Sequence, residues 1–261
     1  RLELAMHGEP TAHPDLLEMV RAFSVANPRE LILVTNGLGL VKNPTDTIGK
    51  LIEAGITSIC LDQYDGCNFV QKIADRYRGS VPIVRYTGAA AEKFRGHNRT
   101  KPIIVIKDDV ARLTKAYDRV NTHCGGGGCP PQPNPAIGKR CAKPFRELSI
   151  RWDGNVSHCC NDFRGIYKVG NLLECKSLEY LWQSATFAAV RRMLYAGNRD
   201  FIPCRWCDAV SPRVGLLPDK YGKQEIEPPS PSDRRIIQKA IAGLSYTTPV
   251  LRSWEKHGTS C

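Results

Sequence analysis

The chain has 261 residues, of which 42% are hydrophobic and 24% charged, with eleven cysteines and a formal net charge of +11. That length can bury a full core, as one α/β barrel or a barrel with a small appendage. No run reaches the about 18 consecutive apolar residues of a membrane span, and no charged-then-apolar leader opens the chain. A chain this long and regular does not need disulfide stapling, so the cysteines point to a reducing cytoplasm with thiols kept for metal. The basic residues are spread along the sequence, the densest spots being Arg191-Arg192 and Arg234-Arg235. This spread favours a solvated basic surface over a nucleic-acid groove, although an anionic substrate or partner also fits.

Through the first hundred residues, apolar runs alternate with helical patterns, which predicts a parallel sheet wound by βα units. Leu2 to Met6 reads as a strand. A helix opened by Pro14-Asp15 follows, with Leu16, Leu17, Val20 and Phe23 on one face. Glu30 to Thr35 is the next strand, broken by Asn36-Gly37, and a helix from about Thr45 to Ala54 is stopped by Gly55. Ile56 to Asp62, Val81 to Tyr86 and Pro102 to Ile106 bring the strands to five. From about Asn121 to Arg140 runs a Gly/Pro-rich connector, HCGGGGCPPQPNPAIG, that marks a boundary by composition. Beyond it come a hairpin in SIRWDGNVSHCC turning at Asp153-Gly154, a strand around Tyr167 to Gly170, and helical SLEYLWQSATFAAVRRMLYAG. The domains read as 1–120, the connector 121–140, a small metal-organised unit 141–208, and a tail 209–261. The tail is loop-like with an amphipathic helix around Arg235 to Leu244, and reads as either packing or disorder.

Chemistry concentrates in two places. Cys141 before the hairpin, Cys159 at its end, and Cys204 and Cys207 in PCRWCD make a four-thiolate set. Such a set holds either structural zinc in a basic nucleic-acid-binding module or an iron–sulfur cluster. Cys160 adjoins Cys159, and strand alternation should point one of the two away from the metal. The second place is HGEPTAHPD, His7 to Asp15, where Gly8-Glu9-Pro10 puts a carboxylate and bare backbone at a strand's C-terminal end, the rim where α/β folds bind ligands. Glu9 reads as a cofactor contact or a helix-start carboxylate, and His7 and His13 as loop-positioning groups. Asn36, Asp62 and Arg85 at the neighbouring strand ends are further candidates. Cys124 and Cys129 frame GGGG and read as a metal half-site, a redox pair or incidental thiols. Cys60, Cys67, Cys175 and Cys261 carry no signal.

Gly8-Glu9-Pro10, the TNG of Thr35 to Gly37, the SICLD strand and the cysteine set together resemble a radical S-adenosylmethionine enzyme with a C-terminal SPASM/Twitch auxiliary-cluster domain. The distal pattern is the more specific part: a Cys before the hairpin, Gly154 to Cys159 as G-x-x-x-x-C, Gly170-Asn171, the SLEYLW helix and the closing Cys-x-x-Cys. The resemblance covers about Arg1 to Asp208. It implies a partial (β/α)6 barrel lacking its first strand, with Gly8, Glu9, Pro10, Asn36 and Asp62 about the S-adenosyl-L-methionine. It also implies one auxiliary [4Fe–4S] cluster on Cys141, Cys159, Cys204 and Cys207, and so selects Cys159 over Cys160. A full SPASM domain would need more cysteines after Cys207, and only Cys261 follows. The family's Cys-x-x-x-Cys-x-x-Cys loop does not occur in these residues, so the first strand and a second [4Fe–4S] cluster are expected only in a longer, full-length protein. A degenerate member that lost that cluster is the alternative.

The implied function is an oxidoreductase that dehydrogenates a small, polar, sugar-like substrate, with the auxiliary cluster as electron acceptor. Peptide maturation is the alternative. The implied partners are a small-molecule or peptide substrate and an electron donor such as flavodoxin or ferredoxin, with no membrane and no nucleic acid.

Overall fold

Five short apolar runs form one parallel sheet in the computed structural model of the chain, which describes residues 1–62, 68–86, 101–107, 138–207 and 226–241. The strands are β1 (Leu2–Leu4), β2 (Leu31–Thr35), β3 (Ser58–Asp62), β4 (Ile83–Tyr86) and β5 (Ile103–Lys107), in the order β1-β2-β3-β5-β4. Side chains alternate between the faces. Leu31, Leu33, Ile59, Leu61, Ile104 and Ile106 pack in one cluster with residues of three helices, α1 (Leu16–Val25), α2 (Pro44–Glu53) and α3 (Phe69–Arg76). Ile32, Cys60 and Val105 form a second cluster with Val34 and Ile103. Cys60 is thus a small core residue. Apolar packing on both faces is what central parallel strands require, and β3 is buried along its whole length.

The sheet departs from simple winding at its edge. A barrel wound in chain order would seat β4 beside β3. Here β5 takes that place, in register from Ser58↔Ile103 to Asp62↔Lys107, and β4 lies outside β5. The composition explains the exchange: Ile103 to Ile106 is apolar on both faces, whereas β4 carries the exposed Arg85, which donates to Gln71 Oε1 at 2.6 Å. Charge on an edge strand is tolerated and also guards the edge. β1 ends at Leu4 and not at Met6, because Met6 and His7 adopt φ of 90° and 56°. The helix α3 was not foreseen. It buries Val70 and Ile73, three residues apart on one face.

Arg1–Val120 and Asn121–Cys261 form two compact units. In the second, β6 (Ser149–Ile150), β7 (Asn155–Ser157) and β8 (Lys168–Asn171) form an antiparallel sheet in that order. The hairpin turn needs Gly154, whose φ is +77°, and Asp153 Oδ1 accepts from Asn155 N at 3.0 Å. The Gly170-Asn171 pair has a separate use for each residue. A Cβ on Gly170 would lie 2.6 Å from a Leu181 methyl. Asn171 Nδ2 donates to Asp153 O at 3.2 Å, which ties β8 to the hairpin tip.

The helix expected over SLEYLWQSATFAAVRRMLYAG is two helices, α4 (Leu178–Gln183) and α5 (Ala185–Tyr195). Ser184, extended at ψ 148°, ends the first and caps the second by accepting from Phe187 N at 3.2 Å. The C-terminal helix α6 spans Pro231–Ile241, earlier than expected. Ser230-Pro231-Ser232-Asp233 is a Ser-x-x-acid start signal: Asp233 Oδ2 accepts from Ser230 N at 2.8 Å, and Pro231 begins the helix. The buried Asp233 carboxylate also takes Arg192 Nη2 at 2.6 Å and Nε at 3.0 Å, docking α6 on α5, while Ile237 enters the core with Phe187, Val190 and Leu194. That stretch is therefore packed structure and not loose tail. Cys67, Cys124, Cys129, Cys261 and segments 108–137, 208–225 and 242–261 lie outside the described residues.

Candidate functional site

Three separate pieces of chain bring the four expected cysteines to the walls of one cavity. Cys141 enters ahead of the turn Lys143–Phe145, its amide donating to Leu194 O at 3.3 Å. Cys159 follows β7, and Cys204 and Cys207 bracket a single 3-10 turn, Cys204–Trp206, closed by Cys207 N donating to Cys204 O at 3.3 Å. All four are buried and line one cavity with Pro144, His158, Asn161, Asp162 and Arg199.

Strand alternation does not separate Cys159 from Cys160, because β7 ends at Ser157 and both cysteines follow it in a turn. What separates them is the surroundings. Asn161 N donates to Cys159 Sγ at 3.3 Å inside the cavity, whereas Cys160 is half-buried and receives Lys143 Nζ at 3.2 Å. A hydrogen bond between the two sulfurs raises the Cys159 pKa and lowers that of Cys160, with Lys143 adding to the lowering.

The cavity suits a multinuclear, positively charged core. Burial, and then the proximity of Cys207, holds the Cys204 thiol well above its ordinary pKa and raises Cys141 as well. Buried thiolates that repel one another need a cationic centre between them, and coordination deprotonates such thiols outright. One ion would draw the sulfurs onto a point, at about 2.3 Å for zinc. An iron–sulfur cluster puts irons and sulfides between its thiolates. Four buried cysteines lining one space fit such a cluster.

Besides Asn161, the polar cavity residues Arg199, His158 and Asp162 were not foreseen. Arg199 is 2% exposed, and its Nε donates to Lys139 O at 2.8 Å. Burial opposes its charge, yet Cys204, Cys141 and Cys207 outweigh burial and hold its pKa above that of ordinary arginine. His158 lies with Nε2 3.3 Å from Cys204 Sγ, and burial, then the Arg199 charge, pushes its pKa down to about 3, so it is neutral. Asp162 accepts from the amides of Ile166 and Tyr167 at 2.9 and 2.8 Å and closes the loop after Cys159. Burial lifts its pKa to about 6 against those bonds. The position of His158 beside a ligand cysteine was a readable signal. Arg199 had none, because its neighbours come from distant chain.

In the first unit, Gly8-Glu9-Pro10 follows β1 through the left-handed Met6 and His7, a strained backbone of the kind that concentrates at functional loops. The helix-start reading of Glu9 matches the geometry. Its Oε1 accepts from Thr11 N at 2.9 Å and caps the turn Pro10–Ala12. The same oxygen also takes the hydroxyls of Thr11 and Thr35, while Oε2 accepts from Asn36 N at 2.8 Å. Glu9 thus ties the ends of β1 and β2. Asn36 Oδ1 accepts from Leu38 N at 2.9 Å, so that oxygen shapes the turn. Gly8 is exposed, and Asp62 is buried at the end of β3 on the same edge of the sheet. His13 Nδ1 accepts from Asp15 N at 3.1 Å and positions the start of α1.

Residues 141–208 match the family model of the SPASM iron–sulfur cluster-binding domain, whose span runs from Cys141 past Cys207. This segment is a SPASM domain. Two solved structures share the fold of the chain. BtrN in complex with AdoMet and 2-DOIA is 22% identical, with a TM-score of 0.59 over 83% of this chain and 76% of that one. BtrN in an open conformation is 21% identical, with a TM-score of 0.52 over 81% and 72%. No curated protein matches the chain. The expected α/β class is borne out, a parallel sheet wound by helices with the fold seen in BtrN, followed by a SPASM domain. Among the described residues no helix is long and apolar enough to cross a membrane. α6 lies beyond the matched span yet packs into the core of the SPASM domain, completing it with a segment the motif does not include.

Proposed function

We propose that the chain belongs to a radical S-adenosylmethionine oxidoreductase that dehydrogenates a small, polar, sugar-like substrate. The carrying observation is the SPASM cavity, four cysteines around one space, in a chain whose parallel-sheet unit has the fold seen in BtrN. The complex of that relative with AdoMet and 2-DOIA supports a small-molecule substrate here. When bound, S-adenosylmethionine and its radical cluster would supply hydrogen abstraction, and the cluster on Cys141, Cys159, Cys204 and Cys207 an acceptor for a second electron.

The chain's own residues hold and orient. Glu9 Oε2, with one protein donor against three on Oε1, has acceptor capacity left for an ammonium group at the sheet edge. Gly8 lets backbone approach the same spot, and Asp62 extends the polar edge to β3. Cys159 and Cys204 keep their sulfurs in a water-poor wall, where electrostatics are strong.

The test is to offer full-length protein deuterated 2-DOIA, other deuterated carbohydrate alcohols and candidate peptides, and to follow label into 5′-deoxyadenosine. Label from a ring carbon of the small substrates is expected. Label arriving only from a peptide Cα or Cβ would replace the reading with peptide maturation.

A further inference from the structure

Arg199 and His158 share the wall of the four-cysteine cavity, and neither is accounted for by cluster ligation. Arg199 is held from behind. Its Nε and Nη2 donate to the carbonyls of Lys139 and Arg140 at 2.8 and 3.4 Å, on the two residues preceding Cys141. Its side chain lines the same cavity as Cys141, Cys204 and Cys207. An arginine at 2% exposure needs an anion to offset its desolvation. The anion it would face is the sulfur set, once coordination to a metal centre holds those sulfurs as thiolates.

His158 is equally fixed. Its ring meets Tyr167 edge-on at 5.1 Å and Phe201 at 6.5 Å, and Nε2 is 3.3 Å from Cys204 Sγ. Nδ1 is buried with no hydrogen-bond partner. An N–H on Nδ1 is a buried, unanswered donor, whereas one on Nε2 has the sulfur as its acceptor. The proton therefore belongs on Nε2, where it donates to the Cys204 sulfur.

We propose that Arg199 and His158 are positioning residues that raise the reduction potential of the cluster held by Cys141, Cys159, Cys204 and Cys207, poising this centre to accept an electron. The inference rests on reading the four cysteines as one cluster site. Reduction adds one electron and breaks no bond, so the negative charge shared by core and thiolates grows by one. A fixed cation and an N–H donor aimed at the sulfurs stabilise the more negative state more strongly, and hydrogen bonds to cluster sulfurs are a known lever on potential.

The experiment loads the chain anaerobically with iron and sulfide and titrates it with dithionite in the presence of mediators, following the paramagnetic signal of the reduced cluster. Parent, Arg199→Gln, Arg199→Lys and His158→Phe are compared, with iron counted in each. Phe keeps the ring packing of His158 and removes the N–H. The expected result is about four irons in each protein. In Arg199→Gln the ratio of reduced to oxidised cluster at a fixed potential should fall at least about tenfold, a midpoint about 59 mV more negative for one electron. His158→Phe should shift the same way, and Arg199→Lys, which keeps the cation, should shift less than Arg199→Gln. Midpoints equal to the parent in both Arg199→Gln and His158→Phe, with iron retained, overturn the proposal and leave the cluster reading intact. A parent that takes up no iron overturns both. If Arg199→Gln loses iron, His158→Phe decides, a negative shift upholding the proposal and an unchanged midpoint overturning it.

Discussion

The two units of the chain are built on different principles. The first buries Leu31, Leu33, Ile59, Leu61, Ile104 and Ile106 against three amphipathic helices, and its buried polar side chains are Thr35, Ser58 and Asp62. The second has a sheet of two to four residues per strand, and it buries His158, Asn161, Asp162, Arg199 and Asp233 together with four thiols. Apolar area drives the first fold without regard to direction, at roughly 25 cal/mol per Å² buried. The second depends on groups that stabilise only when each finds its partner. The SPASM domain should accordingly be sensitive to metal, charge and pH where the parallel-sheet unit is not.

The largest effect should come from the cluster ligands. Cys204→Ala should lower iron from about four per chain to near none, and a strong chelator should do the same to the parent. Hydrogen exchange should then rise throughout 141–207 and stay at parent levels in β2, β3 and β5. Equal loosening of both units would break the distinction drawn between them.

A smaller effect is expected at the ion pair joining α5 and α6. Arg192→Met leaves the Asp233 carboxylate buried without its cation, a defect of about 3 kcal/mol. The hydrogen bond from Arg192 depresses the Asp233 pKa below the ordinary 3.8. Its stabilisation is therefore complete above that ordinary value and is lost as pH falls through the lower, folded one. Urea unfolding from pH 7 to pH 3 should show this acid loss in the parent, and much less of it in Arg192→Met. Retention of the full acid loss in the variant would assign it to other carboxylates.

Ile59→Val should have the mildest effect, about 1 kcal/mol from one methylene removed in a fully buried site. Its cost should appear only in the first unit and leave iron content and cluster potential unchanged. A change in iron content would mean that the two units are energetically linked.

The same division governs what could be read in advance. In the first unit, β2 and β3 appear in the sequence within two residues of their observed limits, because a short apolar run flanked by Asn36-Gly37 or Gly55 has few other uses. The C-terminal end of β1 was not legible, since φ above zero at Met6 and His7 is imposed by the loop that carries Glu9. Ser184 and Ser230 did carry legible cap signals, but each was hidden in a longer helical or loop-like pattern. Cys160 shows the opposite failure: an alternation argument was applied where the strand had already ended.

The sequence by itself determined the residues able to bind metal and the motif order that marks a SPASM domain, because ligand chemistry and tight turns depend on residue type and short spacing. The seating of β5 between β3 and β4 was decided only by the tertiary structure, through competition among strands for the position buried on both faces. So was the presence of Arg199 and His158 beside Cys204. His158 reaches Cys204 across 46 residues and Arg199 reaches Lys139 across 60, and their meaning depends on burial, which turns a solvated charge or a ring N–H into a directed influence on the sulfurs.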